Sequence, residues 1–193
     1  MKMNGTLRSL TLTCAALITA TALRAQDTAA ADRERAREDQ RLAAQVSDEI
    51  SSSVNYDVFD WVGGRVVNGV VTLRGAVRLP YRKDEFARVA QQVPGVKEVR
   101  NEIRVLPASF NDDRLRVQTA RIIYGDPAFT RYAVGYDRPV HIIVENGHIT
   151  LEGTVGSQLD KQLMEAKVRS ATLAFGVQND LQVEGEQRAS KQK

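Results

Sequence analysis

The sequence predicts an α+β fold, built as two tandem αββαβ units in which two helices cover one face of a three-stranded sheet. Three observations carry this. The phrase "NGVVTLRG" at residues 68–75 returns as "NGHITLEG" at 146–153. Around it, residues 66–105 align with 144–183 without a gap, and 11 of the 40 positions are identical, where chance would give roughly two or three at ordinary residue frequencies. Apolar residues also change their spacing along each copy, from alternation to the three-and-four rhythm of a helix. A duplication with a period near 80 residues fits two small domains rather than a solenoid.

Each element follows in order. The first helix is expected in "DQRLAAQVSDEI", where Leu42, Val46 and Ile50 form one stripe. Asn68-Gly69 and Asn146-Gly147 tolerate the positive φ angles of a type I′ turn, so the flanking strands close into hairpins. In the second copy this sets Glu145 opposite His148, Val144 opposite Ile149, Ile143 opposite Thr150, Ile142 opposite Leu151 and His141 opposite Glu152. Alternation then turns Ile142, Val144, Ile149 and Leu151 inward, and leaves His141, Glu145, His148, Thr150 and Glu152 on an outer, solvated face. Val66, Val71 and Leu73 are the inward residues of the first copy. Gly75 and Gly153, near the strand ends, mark a bulge or a close backbone approach.

"PYRKDEFARVAQQV" reads as a second helix with Pro80 at its start and Phe86, Val89, Ala90 and Val93 inward. Its counterpart opens at a capping-box-like Ser157 and Asp160 and carries Met164, Val168 and Ala171 at matching places. "VKEVRNEIRVL" and "VQNDLQVE" supply the third strands. The helix opening the second unit should run from an Asp cap at "DD" to a stop at Gly125.

Residues 1–25 read as a secretory signal: Lys2 and Arg8 precede an apolar run too short to span a bilayer, and "ALRAQ" offers cleavage after Ala25. A cut after Ala22 or an uncleaved anchor are the alternatives. Cys14 is the one cysteine and lies in that run, so the exported chain would contain no disulfide, thiolate metal site or thiol nucleophile. Without those 25 residues the 27 basic side chains fall to 24, equal to the 24 acidic ones. A neutral body lacks the surplus of cations that nucleic-acid binding requires. The expected organisation is a charged extension at 26–38, units at 39–106 and 112–184 joined by a linker at 107–111, and a disordered tail at 185–193.

The order helix–strand–strand–helix–strand, with "NGVVTLRGAV" followed by "PGVKEVRNEIRV", resembles the BON domain of osmotically inducible periplasmic proteins and other bacterial envelope proteins. The resemblance spans about 39–106 and 112–184. The second copy departs from it where Leu173 stands in place of Gly95, its own Gly176-Val177 coming later. The resemblance implies a non-catalytic, exported envelope protein that associates with phospholipid or with a membrane-associated partner. A soluble periplasmic stress protein that holds unfolded clients is the alternative.

Residue chemistry supports no enzyme. There is no GxSxG, phosphate loop or HExxH, and the acidic residues are spread among basic ones rather than gathered into a carboxylate site. His141 and His148 with Glu145 and Glu152 suggest a metal, but four residue steps along a hairpin separate the histidines by roughly 13 Å, too far for a shared ion. No metal or cofactor is expected. Arg78, Arg82, Lys83 and Arg88 cluster near a helix N-terminus and are the candidate contacts for an anionic lipid headgroup, with a solvated mixed-charge face as the alternative. Tyr56, Trp61, Tyr124, Phe129, Tyr132 and Tyr136 either grip a partner or close the ends of small cores. The irregular stretch "RYAVGYDRP" is the place for a specialised binding loop.

Overall fold

The computed structural model describes residues 10–134 and 138–185, with side chains from Ala30 onward. The start of the expected signal (1–9), Tyr136 and nearly all of the tail lie outside the described residues. Helix α1 (Leu10–Ser51) is continuous from the extension into the first unit. Then follow β1 (Trp61–Val67), β2 (Val70–Val77), α2 (Pro80–Gln92) and β3 (Glu98–Val105). The second unit contains α3 (Phe110–Tyr124), a short α4 (Thr130–Ala133), β4 (Val140–Glu145), β5 (His148–Val155), α5 (Gln158–Ala171), β6 (Gly176–Asn179) and β7 (Gln182–Val183).

Two separate sheets form, one per repeat. In each, a hairpin pairs antiparallel and the third strand adds parallel to its second arm. The hairpin register of the second copy matches all five expected pairs. Asn68 and Asn146 take φ of 54° and 52°, and the glycines after them 79° and 76°, which is the geometry the I′ turn demands. Gly75 and Gly153 mark a close backbone approach. A Cβ on Gly75 would lie 2.0 Å from the Trp61 carbonyl oxygen, and one on Gly153 1.9 Å from that of Pro139.

Each unit buries its own core beneath two helices. Leu42, Val46 and Ile50 of α1 and Phe86 and Ala90 of α2 pack on Val66, Val71 and Leu73. Ile123 of α3 and Met164 and Val168 of α5 pack on Ile142, Val144, Ile149 and Leu151. Ala171 is exposed, because α5 ends there while Val93 folds inward beyond α2.

The repeated residues outside the core have mechanical roles. Asp39 of α1 accepts hydrogen bonds from the backbone N–H groups of Asn68 (2.7 Å) and Gly69 (3.0 Å). Asp112 of α3 does the same for Asn146 (3.0 Å) and Gly147 (2.8 Å). Asn101 donates to the Lys83 carbonyl and Asn179 to that of Lys161, each at 2.8 Å, tying third strand to second helix.

Three expectations need correction. The α3 cap is Ser109, whose hydroxyl accepts from the Asp112 N–H at 3.2 Å; Asp112 is drawn inward to the hairpin turn, so α3 begins inside the expected linker. The stretch "RYAVGYDRP" is not irregular throughout, since its first three residues belong to α4, which a 3₁₀ turn at Pro127–Phe129 leads into. The last strand is divided at Asp180-Leu181 into β6 and β7, although both keep one register against β5.

The units pack together. The Ile142 N–H donates to the Val58 carbonyl at 2.7 Å, Arg104 pairs with Glu145 at 2.8 Å, and Ile143 is buried with Ala76, Leu106 and Trp61. Among the described residues no helix is long and apolar enough to cross a membrane.

Candidate functional site

The four basic residues near α2 do not form one exposed cluster. Arg82 turns inward, where its guanidinium pairs with Asp57 at 2.8 Å and with Asp60. Asp60 also accepts from the Arg78 backbone N–H at 2.8 Å. Arg78 and Lys83 are half-buried, and Arg88 stands exposed farther along the helix. Arg82 is a strut between the loop before β1 and the first turn of α2.

The second unit has the same strut with its charges exchanged. At the position of Arg82 it carries Asp160, which pairs with Arg131 and accepts from the Tyr132 hydroxyl at 2.9 Å and the Ser157 hydroxyl at 2.6 Å. The Tyr132 hydroxyl in turn accepts from the Gly156 N–H at 2.8 Å. Part of the irregular stretch before β4 is therefore committed to holding α5. Arg138 lies over the Tyr124 ring, 5.0 Å from its centroid.

The outer face of the second hairpin is not solvated throughout. The first unit covers it, so His141 is buried with its ring 5.1 Å from that of Tyr56. Glu152, opposite it, is half-buried, and burial, helped by the charge of Asp180, raises its pKa to about 7. His148 is at the far end of the hairpin, edge-on to Phe175 at 5.9 Å. No group of three His, Cys, Asp or Glu able to hold a metal occurs among the described residues. Phe129 and Tyr132 are core residues, and Tyr56 packs edge-on against Phe86 at 5.6 Å.

Sequence reasoning missed a surface at the tip of the second unit. Leu173 and Phe175 are 95% and 82% exposed, although one is Leu and the other Phe. They occupy the helix–strand turn that holds Gly95 and Lys97 in the first copy. There the Lys97 stem lies along Gly69 and its Nζ donates to the Asn68 carbonyl at 3.1 Å. In the second copy the Phe175 ring lies over Gly147, its atoms 2.7–2.9 Å from where a Cβ would sit. The backbone clamp is kept: Phe175 N–H donates to the Gly147 carbonyl at 2.8 Å, as Lys97 does to Gly69 at 2.9 Å. A charged cover has thus been exchanged for an apolar one, facing water.

Beside that tip, α3 presents Phe110, 79% exposed, in line with Arg114, Val117 and Arg121. Two shallow grooves of about 450 and 760 Å³ lie on either side of Arg114 and Gln118. The first is bounded by Leu173 and Phe175, the second by Phe110 and Val117. Asp113, the acidic residue beside them, is paired with Arg116 at 2.6 Å. The surface combines exposed apolar side chains with two arginines that have no ion pair among the described residues.

A family model described as the BON domain matches residues 38–107 and 133–185. The chain belongs to the BON domain family. BON domains are generally non-catalytic modules. The second match begins at Ala133, yet Ile123 of α3 is buried in that unit's core, so this BON domain includes the helix before the matched segment. Among solved structures, the chain is similar to CdsD, a structural protein of the type III secretion system of Chlamydia trachomatis, at 12% identity and a TM-score of 0.26, covering 79% of this chain and 97% of that one. It is also similar to the CdsD C-terminal domain, at 12% identity and a TM-score of 0.26, covering 74% and 96%. No curated protein matches the chain.

Proposed function

We propose that the protein is an exported component of the bacterial envelope that docks on phospholipid through its second BON domain. The observation that carries this is the exposure of Leu173 and Phe175 where the first copy has glycine and lysine. Burying a Leu or Phe side chain yields about 1.5–3 kcal/mol, while each Arg or Lys near an anionic surface contributes about 1 kcal/mol. Phe110, Leu173 and Phe175 therefore outweigh Arg114 and Arg121, and salt should weaken binding without abolishing it. The signal-like residues 1–25 and the family support the location. The α2 region of the first unit is a weaker candidate, because Arg82 is held inward by Asp57 and Asp60.

The test is co-sedimentation of the purified protein with phosphatidylglycerol–phosphatidylcholine vesicles. Wild type should bind. Leu173→Asp with Phe175→Asp should lower binding at least tenfold, and Lys83→Glu with Arg88→Glu should leave it near wild type. The reverse pattern would move the contact to the first unit. Suppression of client aggregation with no vesicle binding would favour the client-holding reading instead.

A further inference from the structure

Strand β1 is an edge, and the repeat shows that it is an unusually open one. In a hairpin closed by a two-residue turn, the residues flanking the turn exchange both hydrogen bonds, and alternate residues direct theirs outward. Counting from the Val67–Val70 pair, the outward residues of β1 are Val66, Gly64 and Val62. Their equivalents in β4 are Val144, Ile142 and Val140, and all three are engaged. Arg116, buried in α3, donates to the Val144 carbonyl at 2.5 Å. The Ile142 N–H donates to Val58, and the Tyr124 hydroxyl to the Val140 carbonyl.

On β1 the corresponding bond is the Val62 N–H to the Tyr56 hydroxyl, at 3.4 Å. Among the described residues no hydrogen bond reaches the outward groups of Gly64 or Val66. The reason lies in the helix above. Four residues after the turn-holding Asp112 stands Arg116; four after Asp39 stands Ala43, which has no group to offer. The far edge of the same sheet is guarded, since β3 presents Glu98, Arg100, Glu102 and Arg104 on its outer face. A row of charges of this kind keeps other strands away. β1 has Arg65 alone, beside Gly63 and Gly64.

The outer face next to this edge is dented. The Trp61 ring folds back over Gly63, where a Cβ would meet it at 2.8 Å. A groove of about 760 Å³ runs from there past Arg65 to Val67 and Val70. Arg74 and Arg100 are neutralised by Glu102 (2.7 Å) and Glu98 (2.9 Å), but Arg65 has no ion pair among the described residues.

We propose that β1 is a docking edge for an extended segment of another polypeptide, hydrogen-bonded to Gly64 and Val66 and presenting an acidic side chain to Arg65 and an apolar one to Val67. Such strand addition takes its affinity from main-chain bonds and its specificity from alternate side chains. A second copy of this chain fits less well. Twofold pairing about Gly64 would set the two Arg65 side chains diagonally opposite, about 7–8 Å apart, like charge to like charge. The chain's own last residues, with Arg188, Lys191 and Lys193 against Glu186, have the wrong sign.

Trp61 is the one tryptophan, so its emission reports on this edge in the intact protein. The probe is a capped seven-residue peptide alternating valine and glutamate, compared with its lysine counterpart and with a form N-methylated along one edge. The glutamate peptide should shift Trp61 emission saturably, and the other two should bind at least tenfold more weakly. Gly64→Pro removes an outward N–H on an edge strand, a place proline tolerates, and its inward side has ordinary room, 3.5 Å from Leu73; it should weaken binding at least tenfold. Arg65→Glu should reverse the preference between the glutamate and lysine peptides, a readout that stands even where Gly64→Pro fails to fold. Absence of any saturable shift, equal binding of the N-methylated peptide, or an unchanged preference in Arg65→Glu would overturn the proposal. Self-association that Gly64→Pro abolishes would also overturn it, by assigning the edge to a second copy.

Discussion

Arg82 and Asp60 meet in a salt bridge from which water is almost excluded, Asp60 having no exposed surface and Arg82 only 7%. Burial raises the Asp60 pKa above the ordinary carboxylate value, against the opposing effects of the Arg78 N–H and the Arg82 charge. Removing one member of such a pair leaves the other charged and unpaired, which costs about 3–5 kcal/mol. Arg82→Met should therefore lower the urea midpoint sharply, whereas Lys83→Ala, one residue along, should stay within about 0.5 kcal/mol of wild type. Adding Asp60→Asn to Arg82→Met should recover much of the loss, because an amide oxygen can still accept from Arg78. Equal midpoints for Arg82→Met and Lys83→Ala would show that the pair contributes nothing.

Asp39 and Asp112 perform one task in two surroundings. Each accepts both N–H groups of an Asn-Gly turn, but Asp112 is 1% exposed and Asp39 is half-exposed. Hydrogen bonds to a charged group contribute about 1.5–3 kcal/mol, with the upper end reserved for groups that water cannot rescue. Asp112→Ala should thus cost about 2–4 kcal/mol and Asp39→Ala about 1 kcal/mol, by the same reasoning. Hydrogen exchange at Asn146 and Gly147 should accelerate in Asp112→Ala while the Asn68 turn is unchanged. Equal losses from the two substitutions would contradict the role of burial.

The hairpins were legible because their information is local. Two residues, Asn and Gly, set the turn type, the turn type sets the register, and alternation sets the buried face. What escaped the sequence acts over distance. Asp112 reads as a helix cap because Asn146, its true partner, is 34 residues away. Arg82 reads as one cation among several because Asp57 and Asp60 lie 25 and 22 residues before it. His141 reads as solvated because nothing local to β4 says that Tyr56 will cover it. Leu173 and Phe175 were visible only as departures from the repeat, and their exposure follows from α5 ending at Ala171 with Thr172 as its cap. The openness of β1 also emerges by comparing copies, through Ala43 against Arg116.

Gly153 is held where no side chain fits. Its φ is 110°, and a Cβ would lie 1.9 Å from the Pro139 carbonyl oxygen. Backbone strain of this kind costs about 1–3 kcal/mol, and relieving the collision requires β4 to move from β5. Gly153→Ala should therefore destabilise by at least about 2 kcal/mol, with Gly75→Ala behaving alike in the first unit. By contrast, Gly64→Ala, with ordinary room beside Leu73, should change stability by less than about 1 kcal/mol. A denaturation series of the three variants checks the ranking, and a Gly153→Ala midpoint at or above that of Gly64→Ala would refute it.

Glu152 should make the stability of the second unit depend on pH. Its pKa is raised from 4.5 to about 7, first by burial and second by the charge of Asp180 in the break between β6 and β7, while His141 stands opposite it in the β4–β5 ladder. Between those two values the folded protein holds a proton that the unfolded chain has released. Stability from this group is therefore fully present at pH 4.5 and below, and is lost as pH rises toward 7. Glu152→Gln, which keeps the shape without the charge, should remove that part of the slope. Its urea midpoint should approach wild type near pH 4.5 and exceed it above pH 7. Asp180→Asn should shorten the window from its upper end, because one source of the raised pKa is gone. Midpoints measured at intervals from pH 4.5 to 8 decide the matter: wild-type and Glu152→Gln curves that run parallel across the whole range would show that Glu152 does not hold its proton in the folded state.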